Sequence, residues 1–245
     1  MQKITYLLCC LLFTACTKVN LLPVSPPENA KIENSTFNSA VAAIAYASYP
    51  YGTEMWIQLS SPIPSGWVTI RSSGTQLLIK NMNGAPYNAE VWVLLGSQTP
   101  SGWVTVRSSG TQSLIKNING APYNIEVWVL LGSQMPSGWV TIRSDGTGTS
   151  VLIKNLNGSS YNTEIWVLLG SQIPSDWVII RSSGTSLLIK DMNGAPRYTE
   201  IWVLINSPVP SRWITVRSNG TSILIRKEYE DKITIPTPPR PPYIY

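Results

Sequence analysis

Glu90, Trp92, Trp103 and Arg107 are types that together could hold a sugar. The same four recur in order as Glu126, Trp128, Trp139 and Arg143, and again as Glu164, Trp166, Trp177 and Arg181. A Trp face can cover the apolar C–H patch of a pyranose ring. A carboxylate accepts hydrogen bonds from hydroxyls, and a guanidinium donates them to ring or hydroxyl oxygens. The competing use of the same residues is structural. Trp fills the space between sheets, and Glu and Arg form cross-strand ion pairs that fix register, each worth ~0.2–1 kcal/mol.

Other chemistries are excluded by composition. The 245 residues include no His, so a Ser-His-Asp or Cys-His centre cannot be built, nor a His-ligated metal site. The three cysteines are Cys9, Cys10 and Cys16, which leaves the body without thiol nucleophile, disulfide or zinc cluster. A two-carboxylate hydrolase needs acids about 5–9.5 Å apart. One Glu recurs per copy, while Asp145, Asp176 and Asp191 fall in different places in the pattern. No phosphate loop or metal-ligand string appears. Binding without catalysis, cofactor or metal is therefore the expectation.

The positions of the ten Trp define the elements that must carry these residues. They lie at 56, 92, 128, 166 and 202, and at 67, 103, 139, 177 and 213, with the two series always 11 apart. Spacing within each series is 36, 36, 38 and 36, so the chain holds five tandem copies, starting at Glu54, Glu90, Glu126, Glu164 and Glu200. The one length change falls in a Gly-rich turn, Ser144 to Thr149.

Each copy offers three strands, rich in Val, Ile, Leu, Trp and Thr and bounded by turn residues. In the second copy they are Glu90–Leu95, Trp103–Ser108 and Gln112–Ile118, with a two-residue hairpin around Ser109-Gly110. Pairing the first strand with the second would face Glu90 with Arg107, Thr105 with Trp92 and Trp103 with Leu94. Simple alternation puts Trp92, Trp103 and Arg107 on one face and Val91, Val93, Val104, Val106 and Ile115 on the other. Both faces are apolar enough to be packed on both sides. The fold class expected is all-β, five three-stranded repeats of about 36 residues, arranged as a five-bladed β-propeller. A β-solenoid or a prism-like stack of sheets is the alternative. Pro50-Tyr51 repeats Pro86-Tyr87, so the array begins in mid-repeat, as a ring or a capped solenoid would.

The charges follow the same period. Each copy has one Glu, one Arg in the second strand (71, 107, 143, 181, 217) and one basic residue in the third (Lys80, Lys116, Lys154, Lys190, Arg226). The other eight basic residues are balanced by eight acidic ones, so the net charge of +5 arises from this lattice. Charge spread so evenly is not a clustered nucleic-acid patch. It would favour acidic polymers.

The recurring Arg, Glu and Trp resemble the pattern of small β-propeller lectins, including the fucose-binding group. What the resemblance implies is one weak glycan site per copy, multiplied by avidity. It covers the repeat region and no diagnostic string. At the other end of the chain, Met1–Cys16 has an early Lys, an apolar run from Tyr6 to Phe13, and then small residues. Leu12-Phe13-Thr14-Ala15-Cys16 resembles the lipobox of bacterial lipoproteins, with Phe13 where Leu is usual. That resemblance implies a signal peptide over 1–15, lipidation of Cys16, and an exported protein held at the outer membrane or cell surface. Residues 16–38 read as a flexible tether, 39–232 as the repeat domain, and 233–245 as a Pro-rich tail. Expected partners are glycans or other surface polymers, a membrane through the lipid, and further copies of the chain, with no nucleic acid. The second function class is a structural or adhesive repeat protein that binds proteins or self-assembles without a small-ligand site.

Overall fold

A computed structural model describes Tyr46 and residues 49–228. The chain divides into two compact units, 1–46 and 47–245, and every described strand lies in the second. The leader, Cys16, the tether and the 233–245 tail lie outside the described residues.

The unit is all-β. The first sheet holds β1 (Glu54–Gln58), β2 (Trp67–Ser73) and β3 (Gln76–Asn81), and the second β4 (Glu90–Leu94), β5 (Trp103–Ser109) and β6 (Gln112–Asn117). The third holds β7 (Glu126–Leu130), β8 (Trp139–Ser144) and β9 (Ser150–Asn155). The fourth holds β10 (Glu164–Leu168), β11 (Trp177–Ser183) and β12 (Ser186–Asp191). The fifth holds β13 (Glu200–Leu204), β14 (Trp213–Ser218) and β15 (Ser222–Lys227). The expected strands are therefore present to within a residue or two.

Their order differs from expectation. In every sheet the third strand is central, giving β4-β6-β5 in the second and the same in the others, all antiparallel. The first and second strands never pair. Glu90 faces Lys116 instead of Arg107, and Trp92 faces Leu114 instead of Thr105. Trp103 faces Asn117 instead of Leu94. The tight hairpin explains this order. Ser109 faces Gln112 around Gly110-Thr111, and Gly110 has φ of 59°, a turn that binds β5 to β6 directly. The eight-residue link from β4 to β5 is free to cross.

Each second strand carries a β-bulge. In β5 the register shifts between Thr105 and Arg107, and Val106 is the extra residue. The same shift occurs at Thr69/Arg71, Thr141/Arg143, Ile179/Arg181 and Thr215/Arg217. A bulge reverses alternation beyond it. Trp103 and Thr105 share a face with Ile115, whereas Arg107 joins Leu114 and Trp92 on the opposite face. The expected grouping of Trp92, Trp103 and Arg107 on one face thus does not hold.

The cores lie between consecutive sheets. Val68 and Ile70 of the first sheet pack on Val91, Val93, Trp103 and Ile115 of the second. Val104 and Val106 then pack on Val127, Val129, Trp139 and Ile153, and the pattern repeats twice more. One face of the second to fifth sheets is filled in this way. The other face packs on the next sheet along its second strand, and the central-strand Leu152, Leu188 and Leu224 are buried there too. The first strand keeps its Trp and Glu exposed, so packing over both faces holds only in part.

Buried polar groups join the sheets. The Thr69 N–H donates to Ser97 Oγ of the next sheet at 2.9 Å. Thr105 to Ser133, Thr141 to Ser171 and Ile179 to Ser207 repeat the bond. Asn81, Asn117 and Asn155 are buried at the ends of the central strands. Asn117 Nδ2 donates to the carbonyls of Ala85 and Pro86 at 2.9 and 3.0 Å, and its Oδ1 accepts from the Asn119 N–H at 3.0 Å. Among the described residues, strands of different sheets meet only between neighbours, and none of the first sheet meets one of the fifth.

Candidate functional site

The five equivalent rows on the open face are built by register. In the third sheet, Trp128, Leu152 and Arg143 lie side by side, next to a row of Glu126, Lys154 and Val140. Lys154 Nζ donates to Glu126 Oε1 at 2.9 Å. Lys80–Glu54, Lys116–Glu90 and Lys190–Glu164 form the same pair at 2.9–3.0 Å, and Arg226–Glu200 is looser at 3.6 Å. These half-exposed pairs contribute ~0.2–1 kcal/mol each and hold the Glu carboxylates in place.

The Arg of the second strand is used differently. The Arg143 guanidinium lies over the Trp128 ring, 5.4 Å from its centroid, and Arg217 stands over Trp202 at the same distance. This cation–π contact fixes the side chain without satisfying its N–H donors. Among the described residues, none of Arg71, Arg107, Arg143, Arg181 and Arg217 has a carboxylate within 4.0 Å.

The two Trp of each copy have separate roles. Trp92 is 37% exposed, and Trp56, Trp128, Trp166 and Trp202 are similarly open. Trp103 is 3% exposed, and Trp67, Trp139, Trp177 and Trp213 are buried with it. Of the expected site residues, Glu90, Trp92 and Arg107 share an exposed face, as do Glu126, Trp128 and Arg143, and Glu164, Trp166 and Arg181. Trp103, Trp139 and Trp177 are in the inter-sheet cores instead.

The surface is continuous across sheets. Between the second and third sheets runs an open groove of about 510 Å³, bordered by Tyr87, Glu90, Arg107 and Lys116 from one side and Glu126 and Trp128 from the other. A ligand there would touch two copies, where the sequence suggested one site within each. Tyr87 and Lys116 were not among the residues expected to bind. Their signal was available: Tyr follows Pro at 51, 87 and 123, and a basic residue recurs in every third strand.

Asp145 stands apart in the lengthened turn of the third copy. Its carboxylate accepts from the Thr147 and Thr149 hydroxyls and from the N–H groups of Thr147, Gly148 and Ser150. These bonds, led by those from the Thr149 and Thr147 hydroxyls, hold the carboxyl far below its ordinary range. The group is fully committed to the turn.

No family model matches the chain. No curated protein and no solved structure matches it either.

Proposed function

We propose that the protein is a surface-anchored, multivalent carbohydrate-binding protein whose sites recur once per copy. One observation carries this reading. Each of five sheets leaves a large Trp exposed on the face that also bears Arg and a paired Glu, while a second Trp does the packing. A core needs only the buried series. Five exposed Trp held at fixed register are what weak, avid sugar binding requires. The Glu–Lys pair offers carboxylate and ammonium to hydroxyls, and Arg offers a fork of donors. Anchoring would come from lipid on Cys16 after removal of residues 1–15, which would put the array at the bacterial surface, exported and membrane-bound.

The arrangement we favour for the array is an open stack of sheets, the prism-like alternative, since a propeller needs the fifth sheet to meet the first. Solution scattering distinguishes the elongated form from a ring.

Binding is tested on a glycan array with the full chain. Trp92→Ala, Trp128→Ala and Trp166→Ala combined should abolish binding while the thermal transition survives. A folded wild-type protein that binds no glycan at millimolar concentration would overturn the reading.

Self-association is the second reading, favoured by the exposed Val216 and half-buried Ile214 on the last sheet. Light scattering that finds only monomer would remove it.

A further inference from the structure

We infer that the ligand of this face is an acidic polysaccharide, bound through one carboxylate-to-Arg contact per copy. The inference rests on the carbohydrate-binding reading and names its ligand class. Pairing decides it. In every sheet the Glu is matched by the basic residue of the central strand, so that pair is close to neutral. The remaining charge on the face is the Arg of the second strand, which has no carboxylate in reach among the described residues. There are five such guanidiniums, and the chain's whole formal excess is +5. Among the described residues, the Glu, the central-strand cation and the second-strand Arg of the five sheets leave one positive charge per copy on the face that bears the five exposed Trp.

The bulge makes this possible. Without it Arg107 would follow Trp103 and Thr105 toward the inter-sheet core. With it Arg107 stands beside Leu114 in the Trp92 row. In the third and fifth sheets the ring holds the guanidinium by its face, leaving the N–H edge for a planar acid. A uronate supplies both parts, a carboxylate for Arg and an apolar ring face for Trp. A neutral sugar would leave five charged donors with only hydroxyls to meet. Charge is sparse, one unmatched Arg per copy, which suits acids spaced along a sugar chain better than the phosphate at every residue of a nucleic acid.

The test compares polygalacturonate with the same polymer fully methyl-esterified, using the full chain in affinity electrophoresis. Polygalacturonate should retard the protein, and esterification should weaken binding at least about tenfold, since avid contacts fail together. Added salt should weaken the acidic polymer far more than any neutral one. Arg107→Gln, Arg143→Gln and Arg181→Gln combined should remove the difference between the two polymers with the thermal transition unchanged. Equal binding to both polymers would overturn the acidic class and leave the carbohydrate reading standing. Polyuridylate bound as tightly, with the same dependence on Arg, would overturn the polysaccharide class. Binding to no glycan of any kind would remove both proposals.

Discussion

Ser159 donates its hydroxyl hydrogen to Oδ2 of Asp191 across the junction between the third and fourth sheets. At the preceding junctions the equivalent places hold Ala85 with Asn117 and Ala121 with Asn155. There the amide Nδ2 donates to backbone carbonyls. An ionised carboxylate has no proton to give, so a buried Asp needs a donor where Asn needs an acceptor. The two departures of this copy complement each other. The last junction solves the same problem with Lys227, whose Nζ donates to the Ala195 carbonyl at 2.6 Å.

Ser159→Ala alone should therefore lower stability by about 1–3 kcal/mol, because it strips a donor from a buried carboxylate. Combined with Asp191→Asn it should recover most of that loss, since the pair then matches Ala121 with Asn155. Urea unfolding of the two single variants and the double measures the coupling. Additive losses would show that the pair does not act as a unit.

The two Trp series should separate cleanly in stability. Trp103→Ala empties the core between the first and second sheets and should cost about 3–5 kcal/mol. Trp92→Ala removes a side chain from an exposed row and should cost less than about 1 kcal/mol. Thermal unfolding compares them directly. Similar losses at both positions would mean that the Trp92 face is covered in solution.

Tyr198 occupies the position held elsewhere by Asn88, Asn124 and Asn162, all at φ near 71°, and itself has φ of 61°. Asn tolerates this left-handed region and a bulky residue does so at a cost. Tyr198→Asn should stabilise the protein by about 0.5–1 kcal/mol, as substitutions toward a repeat's own consensus commonly do. An unchanged or lower melting temperature would mean that Tyr198 contacts outweigh the backbone strain.

Asp145 gives a pH prediction. Its folded value is depressed, so the carboxylate form is the one that orders the turn. The contribution is complete above the ordinary Asp value of about 3.9 and is lost only as pH falls through the lower folded value. The Asp145 carboxyl resonance should titrate below that ordinary value, and the Gly148 and Ser150 amides should stay protected across pH 4. A midpoint near the ordinary value would remove this account of the turn.

The parts legible in the sequence were those set by period and turn chemistry. Five copies, three strands in each and the two extra residues in the Ser144–Thr149 turn all follow from Trp spacing and Gly placement. Strand order was less accessible, because the link from β4 to β5 reads equally well as a hairpin or a crossover. The bulge at Val106 left no mark that alternation could detect, since Trp-Val-Thr-Val-Arg is regular as written. That one residue put Arg107 on the opposite face from Trp103 and beside Trp92. Ser97 and its equivalents in the loop after the first strand looked like turn residues, and Asn117 like an ordinary strand residue. Their work is to satisfy backbone groups of a neighbouring sheet, which only the packing of two copies reveals.

The end of the array should be its least protected part. Thr69, Thr105, Thr141 and Ile179 each donate an N–H to a Ser of the following sheet. Among the described residues no Ser follows to accept from the equivalent Thr215. Val68, Val104, Val140 and Val178 are fully buried, but Ile214 in the same place is half-buried. Amides of β14 should therefore exchange through local opening well before those of β5 or β8. Ser207→Ala should bring the Ile179 amide toward the same behaviour by removing its acceptor, at a cost of about 1 kcal/mol. Native-state hydrogen exchange reads both. Protection of Thr215 equal to that of Thr105 would mean that another part of the chain, or a second copy, covers the fifth sheet in solution.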